Sequence, residues 1–203
     1  MSRKENWSVS ELIVTKGIRA GRLLKLAKVL KFFVVTPATI VANRYFASAA
    51  MHNGAYAVAN GGLPGDGLAH SVTCAATAVD VADTMGKLTI VGTDIDGKVI
   101  SEDIVPAAGS TVEGNLAFKS VASITGSGWV QGGTGPDNIV IGFGEKVGLP
   151  DYIAAAADIL MVGFDTAIVN APTVAVDTGL LAKNVVTTPT GNGTKKLRVL
   201  YQV

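Results

Sequence analysis

Residues 88–104 constrain the fold more than any other part of this 203-residue chain. Leu88 and Ile90 alternate with more polar neighbours, and the alternation resumes through 99–104. Because side chains of a strand point alternately to its two faces, each run predicts a strand. The intervening residues 94–97 are Asp-Ile-Asp-Gly, and Gly97 can adopt the positive φ that a tight turn needs. The sequence therefore predicts a β-hairpin at the centre of the chain.

Further short segments with strand character recur along the chain, separated by glycine-rich turns. Their spacing, about 8–14 residues, is typical of antiparallel β proteins. These segments are 70–79, 111–124, 138–143, 159–164, 167–176, 180–187 and 195–203. We therefore predict a mainly β fold, an antiparallel β-sandwich or barrel-like domain.

The charge of the chain is divided unevenly. Residues 1–44 hold nine basic and two acidic residues, whereas the remainder holds eight basic and fourteen acidic residues. A positive arm on a negative body suits docking on an acidic surface. The predicted parts are a basic N-terminal arm at 1–36, a connecting segment with a glycine-rich loop at 37–67, and a β domain at 68–203.

From Lys16 to Lys31 the basic residues of the arm are spaced three apart. On an α-helix each such step turns through about 300°, so the stripe would wind around the helix. The arm is therefore either a helix contacted on several sides or an extended segment that orders on a partner. The predicted partner-binding residues are Trp7, Arg19, Arg22, Lys25, Lys28, Lys31, Phe32 and Phe33.

We expect the partner of this arm to be a protein. A membrane-surface helix needs a single apolar face, which the winding stripe does not leave. Lysine and arginine can neutralise phosphates, but the stretch lacks interleaved aromatic residues apart from Phe32 and Phe33, so nucleic acid is disfavoured. Trp129, in a glycine-rich turn at 126–135, is a further candidate for an interface because tryptophan is enriched at binding hot spots, with core packing as the alternative.

The composition indicates a protein that hides much of its surface against neighbours. Charged residues make up 16% of the chain and hydrophobic residues 48%, against about 25% charged in an ordinary soluble domain. A membrane helix would need about 18 consecutive apolar residues. The longest candidate, 23–35, is interrupted by Lys25, Lys28 and Lys31. We therefore expect a homo-oligomer and no membrane association.

Three motifs that could bind a metal or a cofactor fall short. The turn at 94–97 resembles the start of a calcium loop but lacks a third ligand and the glutamate at position 12, and whether an ion binds there stays open. The glycines of 142–148 miss the dinucleotide-binding spacing, and Pro150 prevents a following helix. His70 and Cys74 are four residues apart, which on a strand is about 13 Å.

The sequence contains no convincing catalytic set. Ser127, between two glycines, lacks the flanking spacing of a nucleophile elbow. His52 and His70 have no paired acidic cluster beside them in the sequence. The single cysteine, Cys74, cannot form an intrachain disulfide and is predicted to be a buried strand thiol. We therefore expect a non-enzymatic protein without a cofactor.

Several short motifs, taken in order, resemble small virion proteins of tailed bacteriophages. In that pattern a strand ending in Gly-Thr-Asp turns into a second strand with Ser-Glu or Thr-Glu. A Phe-x-x-Val segment and a Gly-x-Gly-acidic-Lys-apolar-Gly-Leu-Pro signature follow. The matching segments here are 39–46, 88–94, Gly97, 101–102, 118–121 and 142–150. The resemblance covers about residues 37–203 and leaves 1–36 outside.

The resemblance implies a structural subunit of the phage particle. We expect a capsid decoration, or cement, protein that binds and stabilises the lattice of the major capsid protein, located in the virion capsid and assembled in the host cytoplasm. A head–tail connector or tail component is the alternative. A host-surface or carbohydrate-binding module is a second alternative, but it should show clustered exposed aromatics, and only 6% of this chain is aromatic.

Overall fold

A computed structural model describes residues 28–77, 80–135, 137–189, 191 and 193–203. The fold is mainly β, and its antiparallel sheets include a curled half-barrel, so the predicted sandwich or barrel-like class is confirmed. The strands in this part of the chain are β1 Leu30–Val35, β2 Phe46–Ala50, β3 Gly54–Tyr56, β4 His70–Thr77, β5 Lys87–Thr93, β6 Val99–Ile104, β7 Thr111–Phe118, β8 Ser120–Ser127, β9 Asn138–Gly148, β10 Ile159–Phe164, β11 Ala167–Ile168, β12 Val174–Ala175, β13 Val185–Thr187 and β14 Leu197–Gln202. Single 3-10 turns occur at Asn60–Gly62, Ala156–Asp158 and Leu181–Lys183.

The strands form three sheets. Sheet A has the order β1-β14-β10-β11, and sheet C has the order β3-β8-β5-β6. Sheet B has the order β12-β13-β9-β4-β7, with β2 also paired to β9. The long strand β9 lies inside sheet B, where it pairs with β4 along most of that strand.

The predicted central hairpin is confirmed as β5 and β6. The two strands pair antiparallel from Leu88 opposite Ile104 to Thr93 opposite Val99. At the turn, the carboxylate of Asp94 accepts the backbone N–H groups of Asp96 at 3.0 Å and Lys98 at 2.9 Å. Gly97 has a φ of +81°, the left-handed conformation for which the sequence supplies a glycine.

Two large hydrophobic cores hold the described sheets together, and a third, small cluster comprises Ala69, Ala117 and Val185. The first core lies between sheets B and C and includes Val72, Cys74 and Phe143 from sheet B with Ile90 and Ile124 from sheet C. Cys74 is 1% exposed, which confirms the predicted buried thiol. The second core lies under sheet A and comprises Val147, Leu149, Ile153, Val162, Phe164, Val186, Leu197, Val199 and Tyr201. Strand β9 contributes to both cores, so it links sheet A to the rest of the fold.

The division of the chain differs from the prediction in two places. The predicted arm ends at 36, but Leu30–Val35 is strand β1 of sheet A, where Phe33 and Val35 pack on the second core. The predicted connecting segment, 37–67, supplies β2 to sheet B and β3 to sheet C. Both corrections have the same cause, because the pairing partners of these short strands lie far away in the sequence. Residues 1–27 of the predicted arm lie outside the described residues.

Candidate interaction surface

Strand β1 forms an edge of sheet A. Val29 and Val203 exchange two backbone hydrogen bonds, of 2.8 and 3.0 Å, next to the first pair of the β1–β14 ladder. Because hydrogen-bonded pairs alternate in an antiparallel ladder, the bonds to β14 come from Lys31, Phe33 and Val35. The backbone groups of Leu30, Phe32 and Val34 therefore point away from β14, and no described strand pairs with them.

The outer face of sheet A carries an apolar patch that the described residues leave uncovered. Phe32 is 52% exposed and lies opposite Leu200, which lies opposite Met161 on β10. These three residues make an apolar row across three strands. Exposed neighbours on the same face are Leu30, Val34 and, on β11, Ile168. We call this set the outer patch: Leu30, Phe32, Val34, Met161, Ile168 and Leu200.

Lys28, just before β1, and Lys31, within it, both form ion pairs inside the chain. Lys28 bonds to Asp158, which also accepts a hydrogen bond of 2.9 Å from Gln202. The bond from Lys28, together with that from Gln202, holds the pKa of Asp158 below its ordinary value. Lys31 bonds to Asp151. Both lysine charges at the base of the predicted arm are thus paired with carboxylates of the same chain.

Asp151 also ties the loop after β9 to sheet A. Its second oxygen accepts the hydroxyl of Tyr201 at 2.5 Å, and burial together with this carboxylate raises the pKa of Tyr201. An open groove of about 490 Å³ runs beside β1, bounded by that strand, Tyr201, Pro150 and Asp151. Strand β1 and the loop after β9 therefore line one open groove.

The structure brings four of the predicted partner-binding residues together. Lys28, Lys31, Phe32 and Phe33 all lie on or next to β1, but Phe33 points inward onto the second core. The other predicted arm residues, Trp7, Arg19, Arg22 and Lys25, lie outside the described residues. Sequence reasoning missed Met161, Ile168 and Leu200. Alternation marks Leu200 as facing away from Val199 and Tyr201, but the strands that lie beside β14 are not encoded locally.

Trp129 lies apart from this surface, at the edge of the first core. It is half-buried, and Asn53 holds its backbone from both sides: Trp129 N–H donates to Oδ1 at 2.9 Å, and Nδ2 donates to the carbonyl at 2.8 Å. A cavity of about 10 Å³ beside it is lined by Met51, His52 and Tyr56 among others. That volume suits at most one water molecule. The role of Trp129 at an interface stays a prediction.

His70 is buried and bonded at both ring nitrogens. Nε2 lies 2.8 Å from Oδ2 of Asp66, and Nδ1 lies 3.2 Å from the carbonyl oxygen of Gly144. Both ring nitrogens therefore lie within hydrogen-bond distance of an oxygen atom from another part of the chain. The adjacent Ser71 donates to Glu113 and not to His70. His70, which lies on β4, therefore connects this strand to β9 and to the loop at Asp66.

Two neighbouring carboxylates come from different parts of the chain: Asp83 lies before β5, and Asp137 lies just before β9. Asp83 accepts the backbone N–H groups of Gly132 at 2.8 Å and Gly133 at 3.2 Å, which, against the opposing effect of burial, lower its pKa. Asp137 is 3% exposed, and its two carboxylate oxygens have no hydrogen-bond partner among the described residues. Burial, followed by the neighbouring Asp83 and Asp80, raises the pKa of Asp137.

Within the described ranges, no group of three or more histidine, cysteine, aspartate or glutamate side chains is placed to hold a metal ion. The helices in the described part of the chain are single 3-10 turns, and none of them is long and apolar enough to cross a membrane. No protein-family model, no curated protein and no solved structure matches this chain.

Proposed function

We propose that this chain is a structural subunit of a tailed-bacteriophage particle, a capsid decoration protein that binds the lattice of the major capsid protein. The observation that carries the proposal is the outer patch of sheet A, an apolar face that the described residues leave open. Exposed apolar patches rimmed by polar groups are typical of protein interaction sites. Here Arg198 and Gln202 of β14 provide polar neighbours on the same face.

Two properties of the chain support a lattice-binding role. The basic residues of the N-terminal segment lead directly into β1, so a charged segment and an apolar face would meet the same partner. The motif order in residues 37–203 resembles small phage virion proteins. Many copies bound to one lattice would act at high effective concentration, so each contact need contribute only modestly.

A shell-binding experiment tests this proposal. Shells of the major capsid protein assembled without this chain are mixed with the purified protein and sedimented. We expect the wild-type protein to sediment with the shells and the double variant Ile168→Ser with Leu200→Ser to bind about tenfold more weakly or worse, because two apolar contacts are worth on the order of 1–3 kcal/mol.

A control double variant uses exposed apolar residues that lie away from the outer patch. Val99 is 70% exposed on β6 and Val130 is 58% exposed, against 66% for Ile168. The double variant Val99→Ser with Val130→Ser should bind shells like the wild type. Wild-type protein that stays in the supernatant, or equal weakening by both double variants, would overturn the proposal.

Particles that lack this chain separate a decoration protein from a head–tail connector. Intact heads that break more readily on heating or dilution support decoration. Tailless or leaking heads instead support the connector. Electron microscopy and mass spectrometry of the two particle populations distinguish these outcomes.

A further inference from the structure

We infer that the free edge of β1 joins two copies of this chain, paired antiparallel about Phe32 so that sheet A runs on from one subunit into the other. The partner is a second copy of the same chain, and the contact is isologous, with the same strand used by both subunits. The inference concerns the isolated protein, so it does not rest on the proposed function.

The backbone of β1 fits such a pair. Leu30, Phe32 and Val34 direct their N–H and C=O groups to the open side. An antiparallel copy centred on Phe32 places Phe32 opposite itself and Leu30 opposite Val34 of the second copy. Each of these pairs exchanges two hydrogen bonds, so every outward group of the three residues is satisfied. The β1–β14 register has no bulge or shift that would prevent this pairing.

The charges around β1 favour a copy of the chain over a strongly acidic strand at this edge. Lys28 and Lys31 are already bonded to Asp158 and Asp151 of their own chain. In the proposed register Lys31 faces Phe33 of the second copy and Lys28 faces Thr36. No lysine therefore meets a lysine across the pair, and like-charge repulsion between directly opposite residues is avoided.

Other sheet edges in the described part of the chain have features that hinder pairing with a further strand. Strands β11 and β12 have two residues each, and the pairing of β2 with β9 is irregular. Beside β7, Glu102 of β6 accepts the N–H groups of Asn115 at 2.6 Å and Leu116 at 3.1 Å. Proteins protect their edges by short strands, irregular pairing and charged side chains. Strand β1 has six residues in regular register, and its one charged residue, Lys31, is bonded to Asp151 of the same chain.

A cysteine at Phe32 tests the pairing in the full-length chain. Opposed residues of a hydrogen-bonded antiparallel pair have Cα atoms about 5.5 Å apart, which suits a disulfide. Under mild oxidation we expect Phe32→Cys to convert mostly to a covalent dimer. Native Cys74 should not interfere, because burial raises the pKa of its thiol to about 12. The control is Val99→Cys, which places an exposed thiol on sheet C, away from β1, and should form no covalent dimer.

A proline at Val34 provides the second measurement. Its N–H points outward, so proline removes no bond to β14 but blocks the pair and the approach of a second strand. We expect Val34→Pro to keep the wild-type circular dichroism spectrum and to sediment as a monomer at concentrations where the wild type is a dimer. Val35→Pro, whose N–H does bond to β14, should instead lower the melting temperature.

Three outcomes would overturn the inference. These are a monomeric wild-type protein, a Phe32→Cys variant that cross-links no faster than Val99→Cys, and a folded Val34→Pro variant that remains a dimer. A monomeric wild type would point to another occupant of the edge, such as residues 1–27 or a different protein. If Val34→Pro does not fold, the cysteine experiment alone decides. The monomeric variant can still be tested for shell binding, so failure here is distinguishable from failure of the proposed function.

Discussion

Asp66 and His70 are hydrogen-bonded within the fold, with 2.8 Å between Oδ2 and Nε2 and with 8% and 2% of their side chains exposed. The same carboxylate accepts the backbone N–H groups of Ala38 at 2.9 Å and Leu68 at 3.0 Å. This one side chain therefore joins three places along the chain: the segment after β1, the loop before β4, and β4 itself.

The Asp66–His70 pair predicts a loss of stability in acid. Burial alone would raise the pKa of Asp66, but the hydrogen bond from His70, helped by Ala38 and Leu68, lowers it to about 2. Because the folded-state pKa lies below the unfolded value of about 3.9, the contribution is complete above that value and is lost as the pH falls toward 2. Asp66→Asn should lower the free energy of unfolding by on the order of 2 kcal/mol near pH 6.

Urea unfolding at several pH values checks this prediction. The difference between wild type and Asp66→Asn should shrink as the pH approaches 2. Asp96→Asn is the control, because Asp96 is exposed in the hairpin turn and should change stability little at any pH. A difference that stays constant from pH 6 to pH 2 would contradict the prediction.

Replacing Asp137 by asparagine should stabilise the protein at neutral pH. Its pKa is raised in the folded state, so it opposes folding increasingly as the pH rises from its unfolded pKa through its folded pKa. Asp137→Asn keeps the shape of the side chain and removes the buried charge. We expect a higher melting temperature at pH 7 and no gain below about pH 3. Calorimetry at both pH values measures this, and a lower melting temperature at pH 7 would count against it.

The side chain of Asn53 should hold Trp129 in its partly buried environment through two hydrogen bonds. Replacing Asn53 by Ala removes both hydrogen bonds to the Trp129 backbone and should destabilise the protein by on the order of 1 kcal/mol, since both bonds are partly exposed to solvent. Tryptophan fluorescence in a Trp7→Phe background reports on Trp129 alone, and a red shift is expected. Asn53→Asp, which retains the acceptor and loses the donor, should fall between Ala and wild type. Unchanged emission in the Ala variant would contradict the contact.

Two N-terminal truncations measure how much residues 1–27 and strand β1 each contribute to the stability of the fold. Removal of residues 1–27 should leave the melting temperature nearly unchanged, because every described strand remains. Removal of residues 1–35 also deletes β1, uncovers Tyr201 and Val199, and should destabilise the fold by on the order of 2–3 kcal/mol. Thermal unfolding of both proteins measures the difference. Equal melting temperatures would mean that β1 adds nothing to sheet A.

The sequence predicts strands well where their two faces differ in polarity. Residues 88–104 and 197–202 alternate, so the hairpin and β14 are visible from a single segment. The polarity of the residues in β1 does not alternate, because both faces of the strand are apolar. Phe33 packs on the core, and Phe32 lies on the open outer face. From the sequence alone, this apolar run with lysines at intervals of three predicts part of an arm and not a strand.

Buried polar residues mark a second limit of local prediction. The segment 180–187 is predicted as one strand, yet Leu181–Lys183 is a 3-10 turn and only Val185–Thr187 is a strand. The cause is Asn184, which is fully buried. Its side chain accepts the N–H groups of Ile153 and Asp177 and donates to the carbonyls of Asp177, Leu180 and Leu181. Such a network depends on a distant loop that periodicity does not reveal.

The candidate surface was only half predictable for the same reason. Lys28, Lys31 and Phe32 are predictable because they belong to the basic N-terminal segment. Met161 and Leu200 join Phe32 only through the register of three strands. Register follows from tertiary pairing, and a single sequence does not state which strands are neighbours.

The pairing of β1 with β14 also sets an order of events during synthesis. The bonding partners of residues 30–35 are residues 197–202, so sheet A cannot close until the later strand has left the ribosome. Until then Phe32, Phe33 and their neighbours form an unpaired apolar segment of the nascent chain. Slow translation of the distal part of the gene should therefore prolong dependence on chaperones, whereas the β5–β6 hairpin can form as soon as it emerges.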